Sequence, residues 1–178
     1  MGIFDLTMRS TVSIAVPPSR AWEVFADVRR WTEWSRVTLR SDVDEGFAWG
    51  EGQALHLRLR MAGVGVPFNV HITESDFPPL PLGERVGVRG KAGPPGPATA
   101  FPHRIAWAST KLTVTAVRTF TFEDDTSFED ECGGTLVTDE KVFTSPVLPV
   151  RLFYPRPIIR RMTESFLADL KAECERTN

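Results

Sequence analysis

Apolar and polar residues alternate along most of the chain, which is the pattern of strands with one face buried. The clearest run extends from Leu55 to Met61, where leucines alternate with histidine and arginine. Runs of this kind, separated by turn residues, predict seven strands. Their predicted bounds are Met8–Val16, Val37–Glu45, Gln53–Met61, Val66–Ser75, His103–Ser109, Leu112–Glu123 and Thr135–Thr144.

Helical periodicity replaces this alternation in two parts of the chain. Pro17 and Pro18 end the first strand because proline donates no ladder hydrogen bond. A helix over Arg20–Val28 and a second short one over Arg29–Trp34 follow. The segment from Pro146 onward contains the strongest predicted helix. Its apolar stripe consists of Ile158, Met162, Phe166, Leu170 and Cys174, widened by Ile159 and Leu167.

The third and fourth strands predict a hairpin around Gly63–Gly65. Pairing Met61 with Val66 puts the apolar positions of both strands on one face, and a buried face is what fixes a register. The same pairing sets His56 opposite His71 on the outer face. Because no third ligand accompanies the two histidines, we expect no metal site there.

The hairpin of the last two strands places a charged pair on an apolar face. Pairing Phe122 with Leu136 sets Arg118 opposite Glu140, next to Thr138. Two interpretations stay open. The pair has a structural role, as an internal salt bridge or at a solvated sheet edge, or it is the polar handle of an otherwise apolar ligand pocket.

Composition narrows the class of protein. The chain has 178 residues, of which 42% are hydrophobic and 25% charged, and this is typical of one globular domain spanning residues 1–178. A net charge of −2 gives no electrostatic basis for a nucleic-acid partner. No apolar run reaches membrane-spanning length and no signal peptide is evident, so we expect a cytoplasmic protein with Cys132 and Cys174 reduced.

The interval from Phe77 to Pro102 is the exception to the regular pattern. Its many prolines and glycines disfavour helix and strand, so it is predicted to be an insertion loop. A loop of this length is either a lid over a binding site or a mobile segment, and both interpretations stay open.

A basic segment precedes and enters the last helix. Arg151, Arg156, Arg160 and Arg161 are interleaved with aromatic and apolar residues. Contact with an anionic membrane surface is one interpretation. Packing of the apolar members within the protein is the other.

Three segments carry a resemblance to a known family. The first, residues 18–34, contains Asp27 before a Trp-x-x-Trp cluster and is similar to the family's helix pair. The second is Gly134–Glu140, and the third, Phe166–Glu173, is similar to the family's closing helix. In these residues and in the order of elements, the chain resembles the START-like superfamily, also called SRPBCC or polyketide cyclase/dehydrase-like. The resemblance implies an α+β helix-grip fold: a curved antiparallel sheet of about seven strands, two short helices after the first strand, and a long C-terminal helix.

The resemblance also implies a function, namely binding or carrying a hydrophobic small molecule between the sheet and the last helix. The alternatives are a polyketide-type aromatase/cyclase or dehydratase and a co-chaperone-like interaction module. The candidate pocket residues are Arg118, Glu140, Thr138, Phe120, Trp107, Phe68, Val70, Leu57, Met162 and Phe166.

No residue is predicted to be catalytic and no cofactor is expected. His56 and His71 face outward in the predicted hairpin. His103 is expected at the surface, and an approach to the pocket is the alternative. The sequence has no nucleophile elbow, phosphate loop or dinucleotide fingerprint. Whether the protein is a monomer or a homodimer is left open.

Overall fold

The computed structural model of the protein describes residues 4–76, 103–111, 113–128, 133–147 and 155–176. The strands in this part of the chain are β1 (Phe4–Ile14), β2 (Thr38–Val43), β3 (Ala54–Met61), β4 (Val64–Ser75), β5 (His103–Lys111), β6 (Val114–Asp125) and β7 (Gly134–Ser145). The helices are α1 (Pro18–Ala26), a 3₁₀ turn (Val28–Arg30), α2 (Trp31–Trp34) and α3 (Arg156–Arg176). The predicted order of elements and the α+β class are confirmed.

All seven strands form one curved antiparallel sheet with the order β1-β7-β6-β5-β4-β3-β2. Register shifts in β2 at Thr38/Arg40 and in β4 at Ile72/Glu74 are bulges, which bend strands and increase their twist. The concave face carries the core, and α1, α2 and α3 pack on that side. This arrangement is the predicted helix-grip fold.

The predicted register of β3 with β4 is wrong by two residues. Met61 pairs with Val64 and not with Val66, because the hairpin turns tightly at Ala62 and Gly63. Both turn residues have positive φ, 49° and 84°, as a two-residue turn of the favoured hairpin type requires. A two-residue shift leaves every side chain on its predicted face, so only the partners change.

The histidines of the sheet also have different neighbours from those predicted. His56 pairs with Asn69 instead of His71, and its Nδ1 lies 3.1 Å from the Asn69 Oδ1. His103 is buried on the concave face, whereas the sequence placed it at the surface. The alternation that buries Ile105 and Trp107 also buries His103, two residues earlier in the same strand.

The buried face of α3 follows most of the predicted stripe and departs from it at the N-terminal end of the helix. Ile159, Thr163 and Phe166 are buried, whereas Ile158 is 37% exposed. A step of four residues overshoots one helical turn by about 40°, so a stripe with period four winds around the helix. Its first residue, Ile158, therefore lies outside the packed face, while Cys174 at its other end is fully buried.

Burial raises the pKa of the Cys174 thiol to about 12, so this cysteine is an unreactive thiol inside the core. Cys132 and the predicted insertion at residues 77–102 lie outside the described residues, as does Arg151 of the basic segment. Arg156, Arg160 and Arg161 are exposed on α3. Within the described ranges, no helix combines the length and apolar character needed to cross a membrane.

A cluster of aromatic rings fills the core beneath α1, α2 and the middle of α3. The cluster consists of Trp22, Phe25, Trp31, Trp49, Trp107, Phe120, Phe122 and Phe166. Phe25 is at its centre, with ring centroids 4.7 Å from Phe120 and 5.2 Å from Phe122 and from Trp31. The buried indole of Trp31 donates to the Phe25 carbonyl at 2.7 Å. This aromatic cluster occupies one end of the space between sheet and helix.

Candidate functional site

The other end of that space holds a cavity. It lies between the concave face of β3–β7 and the N-terminal half of α3, with a volume of about 80 Å³. When the adjoining space that is open to solvent is included, the empty volume is about 570 Å³. On β3 and β4 it is lined by Leu57, Leu59, Met61, Phe68 and Val70. On the remaining elements it is lined by Trp107, Ser109, Ala116, Val117, Arg118, Lys141, Phe143, Ile159 and Met162.

The polar part of this lining is a charged cluster formed by Arg118, Asp139 and Lys141. Asp139 is fully buried between the two cations. The Arg118 Nη2 donates to its Oδ2 at 2.6 Å, and the Arg118 Nε lies 3.1 Å from its Oδ1. The Lys141 Nζ donates to the same Oδ2 at 2.7 Å. One carboxylate therefore orients two cations that border the cavity.

Contacts with α3 and with the aromatic cluster hold the two cations in place. The Lys141 Nζ also donates to the Thr163 Oγ1 at 2.6 Å, and the Thr163 hydroxyl in turn donates to the Ile159 carbonyl at 2.9 Å. The Arg118 guanidinium carbon lies 4.4 Å from the Phe120 ring centroid and 5.1 Å from that of Phe166. Contacts of this kind between a cation and an aromatic face are attractive. The Arg118 guanidinium therefore packs against the aromatic cluster.

The electrostatics of the cluster are set by burial and by an uneven charge count. Burial acts to raise the pKa of Asp139, but the charges and hydrogen bonds of Arg118 and Lys141 outweigh it and hold that pKa below its usual range. Burial and the positive charge of Arg118 lower the pKa of Lys141 to about 7, although Asp139 opposes this. With all three groups ionised the cluster carries a net charge of +1, and it becomes neutral when Lys141 loses its proton.

The predicted pairing of Arg118 with Glu140 is wrong. Arg118 pairs across the ladder with Lys141, one residue further along β7, and its ionic partner is Asp139. A shift of one residue moves every side chain of a strand to the opposite face. Glu140 and Thr138 consequently lie on the convex face of the sheet, away from the cavity.

The apolar pattern of β7 could not decide between the two registers. One face presents Leu136 and Val142, and the other presents Val137 and Phe143. The charged residues did not decide between them either, because each register gives Arg118 a carboxylate on its own face, Glu140 in the predicted one and Asp139 in the observed one. Asp139 and Lys141, the residues that sequence reasoning missed, follow from that single shift.

The other predicted pocket residues divide into two groups. Leu57, Phe68, Val70, Trp107 and Met162 line the cavity together with Arg118. Phe120 and Phe166 are fully packed in the aromatic cluster below the Arg118 guanidinium. That these side chains contact a ligand stays a prediction.

Comparison with known proteins places the chain in a family. Residues 5–175 match the sequence profile described as polyketide cyclase / dehydrase and lipid transport. The chain belongs to this family. Membership spans almost the whole sequence and confirms the resemblance to the START-like superfamily. Comparison with curated proteins gives no match.

Solved structures of this fold are similar over nearly the whole chain. The aromatase/cyclase ZhuI from Streptomyces sp. R1128 is 17% identical, with a TM-score of 0.67 and coverage of 97% of this chain and 95% of that one. A START superfamily protein from Mycobacterium smegmatis is 11% identical, with a TM-score of 0.61 and coverage of 97% and 99%. Norcoclaurine synthase from Thalictrum flavum is 8% identical, with a TM-score of 0.65 and coverage of 99% and 90%. At these identities the similarity concerns the fold.

Proposed function

We propose that the protein binds a hydrophobic small molecule in the cavity, with the polar end of that molecule toward the charged cluster. The observation that carries the proposal is the lining, in which aliphatic and aromatic side chains surround the two cations Arg118 and Lys141. Binding sites for small molecules have this character, with a few placed polar groups in an apolar wall. Membership of a family described by polyketide cyclisation and lipid transport supports the same conclusion.

The size of the cavity limits the ligand. Pockets for drug-sized molecules measure roughly 300–1,000 Å³. The cavity lined by the described residues measures about 80 Å³, and the aromatic cluster fills the neighbouring space below α3. We therefore propose that one ring or a short alkyl chain is enclosed, while any larger part of the ligand lies in the open space around the cavity.

A polyketide-type cyclase or dehydratase is the second candidate function, and Lys141 is the observation in its favour. Proton transfer is most efficient when the pKa of the group is close to the working pH. Lys141 borders the cavity and has a pKa of about 7, so a large fraction of its amine is able to accept a proton at neutral pH. Turnover of an aromatic polyketide that disappears in Lys141→Met would support this reaction.

The binding proposal is tested by filling the cavity and measuring the binding of hexan-1-ol, a short neutral amphiphile. Methyl NMR spectra report on Leu57, Leu59, Met61 and Met162, and we expect their signals to shift on titration. Ala116 lines the cavity, so Ala116→Leu should abolish these shifts.

Ala108 is a matched control because it lies on the convex face of the neighbouring strand β5. Ala108→Leu should bind hexan-1-ol like the original protein, and thermal unfolding will show that both variants are folded. Shifts that persist in a folded Ala116→Leu variant, or that occur away from the cavity, would contradict the proposal.

A further inference from the structure

The charged cluster has one more cation than it has carboxylates. Asp139 accepts hydrogen bonds from both Arg118 and Lys141, so it is shared between them. Among the described residues, these are the charges that act on Lys141. On α3 the facing group is the uncharged Thr163, and on β1 the cross-strand neighbour is Met8. A protonated Lys141 therefore leaves a net positive charge at the wall of an apolar cavity.

The hydrogen bonds of Lys141 lead to the same conclusion. Its two acceptors within the described part of the chain are the Asp139 carboxylate and the Thr163 hydroxyl. A neutral amine has two N–H donors and these two acceptors satisfy it, whereas an ammonium group has a third donor. Since Lys141 borders the cavity, a ligand oxygen there is in a position to accept from that third donor.

We propose that the ligand of this cavity carries an anionic head, such as a carboxylate, which binds Lys141 and Arg118, and that binding is coupled to the uptake of one proton by Lys141. This inference rests on the proposed function and names the class of ligand. The bound anion restores the neutrality of the site, with two cations opposite two carboxylates. Charge-assisted hydrogen bonds to the head group replace the water that it loses.

The direction of the pH dependence follows from the free protein. The pKa of Lys141 is about 7 without a ligand, and a bound anion raises it. Above pH 7 the competent, protonated form becomes scarce, and the apparent affinity falls with its fraction. The Kd of a carboxylate should therefore rise on the order of fifty-fold between pH 7 and pH 9.

The test compares hexanoate, which is ionised throughout this range, with neutral hexan-1-ol. Isothermal titration calorimetry at pH 8 in two buffers of different ionisation enthalpy counts the protons taken up. We expect about 0.9 proton for each hexanoate bound, the neutral fraction of an amine of pKa 7. Hexan-1-ol should bind with no proton uptake and with a Kd that changes less than about twofold from pH 7 to pH 9.

The variants separate Lys141 from other lysines. Lys141→Met, of similar length and without charge, should lose the proton uptake and the pH dependence of hexanoate binding. Lys171→Met is the control, because Lys171 lies in the C-terminal half of α3 and donates to the Ser13 carbonyl. It should behave like the original protein.

The outcomes distinguish the two proposals. If hexan-1-ol binds in the cavity but hexanoate binding does not depend on pH, or if the uptake persists in Lys141→Met, the coupling to Lys141 is wrong and the binding function stands. If neither compound binds to the folded protein, the proposed function itself is wrong and this inference is overturned with it.

Discussion

The burial of Lys141 predicts an unusual dependence of stability on pH. Its pKa is about 7 in the folded protein, against an ordinary value of 10.5 for lysine. Between these values the unfolded chain binds a proton that the folded protein does not, so the free energy of unfolding rises with pH. Below pH 7 both states are protonated and the full cost of burying the charge is present. Above pH 10.5 both are neutral and that cost is absent.

The size of this effect follows from the same two values. Each pH unit between them corresponds to about 1.4 kcal/mol of stability. The interval from about 7 to 10.5 therefore corresponds to roughly 5 kcal/mol, with the cost largest on the acidic side. Lys141→Met removes the titrating group, whereas Asp139 keeps Arg118 as its partner and stays ionised. The variant should lack this part of the pH dependence.

The assay is urea unfolding of the original protein and of Lys141→Met at intervals from pH 6 to pH 10. Other groups titrate at alkaline pH, so the informative quantity is the difference between the two proteins at each pH. We expect the free energy of unfolding of the original protein to rise, relative to that of the variant, by up to about 1.4 kcal/mol for each pH unit above 7. A difference that stays constant from pH 7 to pH 10 would refute the argument that Lys141 is buried with a lowered pKa.

Three further predictions concern the core and the turns. Asp139→Asn should lower the free energy of unfolding by about 3–5 kcal/mol, because it leaves two buried cations without a carboxylate. In the same urea titration, Glu140→Gln on the convex face should change it by less than about 1 kcal/mol. Equal effects would contradict the observed register. Phe25→Ala should cost about 3–5 kcal/mol by calorimetry, since Phe25 is the centre of the aromatic cluster, and a loss below about 1 kcal/mol would show that the cluster is loosely packed. Ala62→Gly should raise the Tm, because Ala62 has a φ of 49° that glycine adopts without strain; an unchanged Tm would argue against that turn geometry.

The order of elements could be predicted because it depends on local periodicity. Alternation located the strands within a few residues, and the first helix begins at the second of the two prolines that were predicted to end β1. The face that each residue of β3 and β4 presents was also predicted, since a register error of two residues preserves it. Arg118 and five apolar residues of the cavity lining could be predicted in this way.

The polar half of the site could not be predicted with the same rules. In β7 both faces have equal apolar content, so hydrophobic patterning gave no reason to prefer the face of Asp139 and Lys141. On α3 the stripe with period four included Ile158, which is exposed, because the drift of that stripe becomes visible only when a sheet selects one face of the helix. Thr163 was missed because an apolar pattern does not select a polar residue, although Thr163 lies on the buried face of the helix.

The aromatic cluster has a consequence for the tryptophan fluorescence of the protein. Trp107 borders the cavity, and its ring centroid lies 5.9 Å from Trp49 and 6.4 Å from Trp31. Trp49 is in turn 5.5 Å from Trp22. Indoles at such separations exchange excitation energy efficiently, so a photon absorbed by any of these four is shared with the others. A molecule that quenches Trp107 from inside the cavity should therefore dim the fluorescence of the whole group, which makes the core itself an optical reporter of occupancy.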